Sequence, residues 1–356
     1  MNNIELPHLK IRGYEAKYPI IQGGMGIKLS MAELAAAVAN YGGIGTITGV
    51  GLGFSNEVKK SREQYLADNK KYLIEEIKKT KELSNDGFVG VNIMTIASDY
   101  ENMIKTACES GIKFIVSGAG MPYKLPEYTK NFPDVAIIPI ISTLQGVRVI
   151  CKKWSDNYSR LPDAIIVENP NTAGGHLGCS REKIGDPKYN PENVIPEIVK
   201  YLKETYNKEI PVIAAGGVRN RYDLDKMLSY GASGVQVATP FILTPECNAS
   251  DAYKKVHLNA ESKDIVIIKS PVGMPGRAIN TDFAQKSLEN LEKYKPSQCV
   301  RCLDVCKFLE TNDGFYCILS ELENARLTGN GVIFSGQWSP RKMQTVEQVM
   351  DTLVKY

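Results

Sequence analysis

The chain has 356 residues, of which 43% are apolar and 23% charged, and its formal net charge is +3. That composition suits a soluble globular protein with one large α/β domain and an appendage, or with two ordinary domains. The small net charge argues against nucleic-acid or anionic-membrane binding, no apolar run reaches the roughly 18 residues of a transmembrane helix, and the first residues lack the apolar core of a signal peptide. We therefore expect a cytoplasmic protein that binds neither nucleic acid nor membrane.

Short apolar runs rich in Val and Ile alternate with longer helical patterns through roughly the first 260 residues. Because these runs are almost continuously apolar, they suit a parallel sheet whose faces are covered by helices. The predicted strands are Tyr18–Gln22, Ile44–Thr48, Phe88–Ile93, Lys113–Ser117, Val135–Ile141, Asp163–Glu168, Ile210–Ala215 and Gly234–Ala238. Eight strands, each followed by a helix, predict a TIM (β/α)₈ barrel, whereas a doubly wound open sheet typically has fewer strands.

The first predicted helix spans Met31–Asn40, with Ser30 as its N-cap and Glu33 completing a capping box. The alternation of strands and helices stops near residue 262. We therefore expect a barrel over residues 1–262 and a C-terminal helical lid or appended subdomain over residues 263–356, which holds a cysteine cluster.

His176 is one of three histidines and lies in the glycine-rich run Ala173–Gly178, directly after a predicted strand. Glycines on both sides let a ligand approach the backbone while the imidazole projects towards it. Loops that follow parallel strands carry the reactive groups of barrel enzymes. His176 is therefore the candidate catalytic residue, and a surface turn with an incidental histidine is the alternative.

Glycine pairs follow several predicted strands. Gly216 and Gly217 end the seventh, while Ala238 and Thr239 end the eighth, and these two loops form the usual phosphate site of a barrel. Gly23 and Gly24 follow the first strand, so bare backbone faces one end of the barrel at several places. This pattern favours a large flat ligand with a phosphate group, such as FMN, and no ATP-binding P-loop sequence is present.

Five motifs, in order over roughly residues 15–260, resemble the FMN-dependent nitronate monooxygenases, formerly called 2-nitropropane dioxygenases, and the related flavin-dependent enoyl-ACP reductases. They are PIIQGGMG (Pro19–Gly26), GVNIM (Gly90–Met94), AGGHLG (Ala173–Gly178), PVIAAGGV (Pro211–Val218) and GVQVATPF (Gly234–Phe241). The resemblance implies a TIM barrel that binds FMN. One departure is that the family usually has Gly-Thr-Arg-Phe where this chain has Ala-Thr-Pro-Phe.

By resemblance, the FMN contacts come from the loops that carry these motifs. The residues implied are Gly23, Gly24, Met25, Asn92, Met94, Gly175, Gly216, Gly217, Ala238 and Thr239. His176 would be the general base in the oxidation of an alkyl nitronate by O₂ to a carbonyl compound and nitrite. An imidazole with a pKa near neutrality can remove the acidic proton next to a nitro group.

Two other functions stay open at this point. In the reductase branch, His176 would assist the reduction of an enoyl thioester by NAD(P)H through FMN. A non-catalytic flavin- or metal-binding sensor is a hypothesis of another class. The expected partners are a small-molecule substrate (a nitronate or an enoyl thioester) with O₂ or NAD(P)H, and a homodimer is the oligomeric state considered.

Four of the eight cysteines, Cys299, Cys302, Cys306 and Cys317, cluster near the C-terminus. Their spacing could bind zinc or an iron–sulfur cluster, since both kinds of site often begin with C-x₂-C. Packed thiols in a helical lid are the alternative, which the absence of a second C-x₂-C pair favours, so no metal is assigned. Cys179 could be read as a nucleophile, but a bystander thiol is the favoured interpretation.

Overall fold

The computed structural model describes residues 5–289, 298–310 and 316–356. The strands are β1 (Leu9–Ile11), β2 (Tyr14–Ala16), β3 (Ile20–Gln22), β4 (Gly45–Thr48), β5 (Val89–Met94), β6 (Phe114–Gly118), β7 (Ala136–Ile141), β8 (Ile165–Glu168), β9 (Gly175–His176), β10 (Val212–Ala215), β11 (Gly234–Val237), β12 (Ile265–Ile268) and β13 (Gly276–Ile279).

The α-helices are α1 (Ala32–Tyr41), α2 (Arg62–Leu83), α3 (Tyr100–Glu109), α4 (Leu125–Tyr128), α5 (Leu144–Tyr158), α6 (Pro191–Tyr206), α7 (Arg221–Ser229), α8 (Thr239–Ile242), α9 (Asp251–Asn259), α10 (Asp282–Glu289), α11 (Lys307–Glu310), α12 (Ile318–Thr328) and α13 (Val346–Val354). Within the described ranges, no helix is long and apolar enough to cross a membrane.

Eight parallel strands form a barrel, which confirms the predicted fold. Their order in the sheet is β3-β11-β10-β8-β7-β6-β5-β4. A parallel bridge between Ile21 and Ile44 joins the two edge strands. There, the Gln22 N–H donates to Ile44 O and the Ile44 N–H to Ile20 O, each at 2.9 Å. The sheet therefore curls round on itself and is not the open, doubly wound alternative.

The barrel interior is filled by side chains from alternate positions of the strands. The buried group contains Ile21, Ile44, Phe114, Val116, Ile138, Ile166 and Ile213. The N-terminal hairpin of β1 and β2 adds Leu9, Ile11 and Ala16 to the same group. The hairpin therefore closes the amino-terminal end of the barrel, and the carboxyl ends of the strands are left for a ligand.

The C-terminal segment packs on the barrel in two ways. Helix α13 buries Val349, Met350 and Leu353 in the same core as the barrel strands and α1. Strands β12 and β13 form an antiparallel sheet with β9, where Gly276 pairs with His176. The boundary at residue 262 stays a prediction, and the segment holds strands as well as the expected helices.

The start of α1 differs from the predicted capping box. Its N-cap is Met31, without a side-chain cap. The Ser30 hydroxyl instead accepts a hydrogen bond from the Met25 N–H at 2.8 Å. This serine therefore holds the glycine-rich loop after β3 instead of capping the helix.

Candidate active site

A cavity of about 630 Å³ opens where the barrel strands end and the C-terminal segment covers them. Its walls include these predicted residues: Gly24, Met25, Asn92, Met94, Gly175, His176, Ala238 and Thr239. Met274, Pro275 and Phe334 complete the wall from the C-terminal segment. A cavity of this volume is typical of a site that binds a cofactor or a small-molecule substrate.

A second cavity, of about 440 Å³, adjoins the first. Four residues line both cavities: Glu168, Gly174, Ala238 and Thr239. Gly216 and Gly217 line only the second, as expected for residues after the seventh barrel strand. The structure thus places the catalytic candidate and the predicted phosphate loops in two adjoining cavities.

The glycines of the second cavity have backbone conformations that other residues rarely adopt. Gly216 has φ +95° and Gly217 φ +86°. A Cβ on Gly216 would lie 3.0 Å from the Ala173 N atom and 3.0 Å from Thr172 Oγ1. The short helix α8 begins at Thr239, directly after β11, where barrels commonly hold a phosphate group. Bare backbone is therefore needed here for both conformation and space.

Three buried polar side-chain atoms around the two cavities lack a hydrogen-bond partner among the described residues: Thr172 Oγ1, Gln236 Oε1 and Ser335 Oγ. Thr172 and Gln236 line the second cavity and Ser335 the first. Buried polar atoms are normally hydrogen-bonded, because leaving one unpaired costs about 1–3 kcal/mol. A bound molecule with polar groups along its length, such as FMN, would supply hydrogen-bond partners for these atoms.

His176 is fixed in the first cavity by its backbone and by two side chains. Strand β9 pairs with β13, and His176 Nε2 lies 2.8 Å from Ser270 Oγ. The Phe334 ring meets the imidazole at an edge, with 4.9 Å between the ring centroids. Burial lowers the pKa of His176 to about 4, below the near-neutral value expected from the sequence, so the imidazole is neutral at pH 7 but is a weaker base than a free histidine.

Glu168 is a site residue that the sequence reasoning missed, although it ends a predicted strand. It lines both cavities, and burial raises its pKa to about 7 while the charge of Arg277 opposes the rise. Arg277, in the C-terminal segment, is only 4% exposed. It donates to Pro170 O at 2.9 Å and also to Ala173 O, so it braces the loop before His176.

Ser270 and Phe334 also contact His176, and neither was among the predicted site residues. Both belong to the C-terminal segment, about 90 and 160 residues after the histidine. Gly23 does not line either cavity: its N–H donates to Val237 O at 2.8 Å, so it packs the first barrel strand against the last. Gly24 approaches Asn92, where an added Cβ would lie 2.5 Å from Asn92 Cβ.

The sequence profile of the nitronate monooxygenases matches residues 8–355. The chain belongs to the nitronate monooxygenase family. A curated relative from Staphylococcus haemolyticus, named as a probable nitronate monooxygenase, is 28% identical and the match covers 95% of this chain and 94% of the relative. This membership makes the chain an oxidoreductase.

A second curated relative of this chain comes from Rhodococcus jostii. Its name is (3aS,4S,5R,7aS)-5-hydroxy-7a-methyl-1-oxo-octahydro-1H-indene-4-carboxyl-CoA dehydrogenase. It is 28% identical over 77% of this chain, which spans 65% of that protein. Among solved structures, FabK from Thermotoga maritima has a TM-score of 0.70 and 23% identity, covering 95% of this chain and 92% of that one. That likeness supports the fold.

Cys179 also lines the first cavity of this nitronate monooxygenase family member. Burial raises the pKa of its thiol, and the charges of Arg277 and two lysines only partly oppose this. Reactive cysteines instead have a lowered pKa and are thiolates near neutral pH. The structure therefore supports a bystander thiol.

Proposed function

We propose that this oxidoreductase binds FMN and oxidises alkyl nitronates with O₂ to a carbonyl compound and nitrite, with His176 as general base. The observation that carries the proposal is the position of His176. Its neutral imidazole lies in a cavity that adjoins a glycine-lined cavity at the ends of β10 and β11. A small-molecule substrate and O₂ are the proposed partners, and the homodimer stays a prediction.

The cofactor contacts are assigned to the glycine-rich loops. Gly216, Gly217 and Thr239 would hold the phosphate, while Gly24, Met25, Asn92, Met94, Gly175 and Ala238 would hold the rest of FMN. The unpaired Thr172 and Gln236 side chains add hydrogen-bonding atoms to the same space. When bound, FMN supplies the capacity to accept and return electrons.

The role of His176 follows from its environment. A neutral imidazole accepts the proton on carbon next to the nitro group, and the imidazolium that results pairs with the nitronate anion. Ser270, 2.8 Å from Nε2, orients the ring. The Phe334 ring packs against the imidazole, with an angle of 69° between the two ring planes.

A second candidate function is reduction of an enoyl thioester by NAD(P)H through the same site. It is favoured by the Rhodococcus relative, whose name describes a dehydrogenase of a carboxyl-CoA compound. The replacement of the family's usual arginine by Pro240, at the start of α8, also changes the wall of the second cavity. A non-catalytic sensor stays the alternative of another class.

Steady-state turnover distinguishes these functions. With FMN-loaded protein, we expect O₂ consumption and nitrite release with a nitronate, and little NAD(P)H oxidation with crotonyl thioester. His176→Asn should lower kcat/KM for a neutral nitroalkane at least about 100-fold, the usual contribution of a general base. His8→Asn is the matched control, because His8 is exposed and pairs with Glu15 far from the cavity.

Turnover of the crotonyl thioester with NAD(P)H and none of the nitronate would assign the reductase function. No turnover with either substrate would favour the non-catalytic sensor. An unchanged kcat/KM in His176→Asn would overturn the general-base role even if nitronates are oxidised.

A further inference from the structure

The four C-terminal cysteines lie together outside the active site. Cys299, Cys302, Cys306 and Cys317 line a pocket of about 20 Å³. In the part of the chain that the structure describes, no three His, Cys, Asp or Glu side chains are placed to hold a metal ion. The four thiols therefore carry no metal assignment.

Apolar side chains that are assigned neither to FMN nor to proton transfer surround much of the first cavity. They come from the loops after β3 and β6, from β7 and α8, from the loop between β12 and β13, and from α12: Leu29, Met121, Ile140, Ile242, Met274 and Leu322. A nitronate of two or three carbons is too short to contact all of these elements. It would leave much of the apolar wall in contact with water.

Four of these side chains keep part of their surface accessible. Met121, Ile140, Met274 and Leu322 are half-buried, and all four line the first cavity. Removing apolar surface from water strengthens binding, by about fourfold for each methylene group that becomes fully buried. The wall therefore favours a substrate whose apolar chain is long enough to cover it.

The charges around the first cavity limit the substrate further. Among the described residues that line it, Glu168 is the only one with an Asp, Glu, Lys or Arg side chain. Arg277 is buried and donates to two backbone carbonyls of the loop before His176. Lys28 adjoins two lining residues in the sequence, but its ammonium group pairs with Glu323 at 3.2 Å. A second anionic group on the substrate would therefore lose hydration without gaining a cation.

We propose that the substrate is a nitronate with an extended apolar chain and no second anionic group. The reacting carbon lies near His176, and the chain extends along Met121, Met274 and Leu322. The inference rests on the proposed nitronate oxidation, because it names the substrate class of that site. A site built for a nitronate that also carries a carboxylate would require a lysine or arginine in its wall.

Steady-state kinetics with primary nitronates, from that of nitroethane to that of 1-nitrooctane, tests the proposal. We expect kcat/KM to rise with chain length, by up to about fourfold for each methylene group that enters the cavity. The nitronate of 1-nitrohexane should exceed that of 6-nitrohexanoate, which ends in a carboxylate, at least about 10-fold. A series without chain-length dependence, or equal rates for the two six-carbon nitronates, would overturn the proposal.

A larger side chain in the wall should act most strongly on long substrates. Met274→Trp should lower kcat/KM for the nitronate of 1-nitrooctane at least about 10-fold, and far more than for that of nitroethane. Met343→Trp is the matched control, because Met343 belongs to the same C-terminal segment, is 45% exposed and lines neither cavity.

FMN absorbance and circular dichroism check the cofactor content and the fold of both variants. If Met274→Trp does not fold, Met121→Trp tests the same wall. An equal loss with long and short nitronates in a folded wall variant would contradict the proposed position of the chain.

Binding of neutral amides separates this inference from the proposed function. Hexanamide and octanamide are uncharged and are not nitronates, so calorimetric titration of the FMN-loaded protein measures the apolar contribution without turnover. We expect octanamide to bind about 10-fold more tightly than hexanamide. If no nitronate is oxidised while this difference is found, the proposed function fails and the apolar site stands. Nitronate oxidation with equal affinities for the two amides would contradict the apolar site alone.

Discussion

At the scale of single residues, two groups in the cavity have pKa values moved in opposite directions by the same cause. Burial disfavours the charged form, so it lowers the pKa of His176 to about 4 and raises that of Glu168 to about 7. At pH 7 the histidine is therefore neutral and Glu168 is close to half-protonated. Pairs of groups separated in this way are typical of catalytic sites.

This difference predicts the pH dependence of Glu168→Gln. In the wild type we expect kcat/KM for a neutral nitroalkane to change near pH 7, where Glu168 titrates, and again near pH 4, where His176 is protonated. Glutamine resembles the protonated carboxyl group and cannot titrate. The variant should therefore lose the transition near pH 7 and keep the acid one.

The measurement is kcat/KM from about pH 3 to 9, a range that includes the pKa of His176 near 4, with Glu182→Gln as control, since that carboxylate is exposed. A transition near pH 7 that survives in Glu168→Gln would rule out this assignment.

At the scale of elements, the loop after β10 combines a strained backbone with the proposed phosphate site. Gly216→Ala places a side chain at φ +95° and within 3.0 Å of Thr172 Oγ1. Gly231→Ala, after α7, meets almost the same φ, +96°, but its Cβ would find only Val199 Cγ2 at 3.8 Å. Both substitutions carry the same backbone strain, about 1–3 kcal/mol. Of the two glycines, only Gly216 lines the second cavity.

We therefore expect Gly216→Ala to lose at least as much stability as Gly231→Ala, because its Cβ also crowds Ala173 N and Thr172 Oγ1. Only Gly216→Ala should bind FMN at least about 10-fold more weakly, for about 1.4 kcal/mol or more of lost binding. Fluorescence titration of the apoprotein with FMN measures the affinity, and urea unfolding measures the stability. Equal FMN affinities would place the phosphate elsewhere.

Elements also show what the sequence could and could not predict. The eight barrel strands were predictable because each is a short apolar run, and every one of these runs forms a strand. The role of Ser30 was not predictable, because its hydroxyl accepts a hydrogen bond from the Met25 N–H and does not cap α1. Local propensity at a helix start was overridden there by the loop that shapes the cavity.

The candidate site was predictable only as far as local motifs reach. Glycine runs at strand ends pointed to Gly24, Gly175, Gly216 and Gly217, and all four line the two cavities. The contacts of Ser270 and Phe334 with His176 were not predictable, since they depend on the antiparallel pairing of β9 with β13. Such pairing joins residues about 100 positions apart and leaves no periodic signal in the sequence.

At the scale of the whole molecule, the C-terminal segment and the barrel share buried polar contacts as well as a core. His257, at the end of α9, is fully buried and its Nδ1 lies 2.9 Å from Ser339 Oγ. Lys28, in the loop after β3, lies 3.2 Å from the carboxylate of Glu323 in α12. We therefore expect both parts to unfold together, so that a buried group in either one affects the stability of the whole chain.

Fully buried His257 and half-buried Glu321 should give this stability opposite dependences on pH. Burial lowers the pKa of His257 from 6.5 to about 3, so between these values the unfolded chain binds the extra proton and stability falls as pH falls. Burial raises the pKa of Glu321, in α12, from 4.5 to about 7. In that window the folded chain holds the proton, and stability falls as pH rises.

Each contribution is measurable as a difference between wild type and variant in urea unfolding from pH 4.5 to 8. The stability of His257→Gln relative to wild type should rise as pH falls below 6.5, by at most about 1.4 kcal/mol per pH unit. The relative stability of Glu321→Gln should rise as pH increases from 4.5 to 7. His257 contacts the C-terminal segment, and Glu321 belongs to it. Opposite slopes in one cooperative transition would therefore show that the barrel and the C-terminal segment unfold as one unit. Two separate transitions would divide the chain near residue 262.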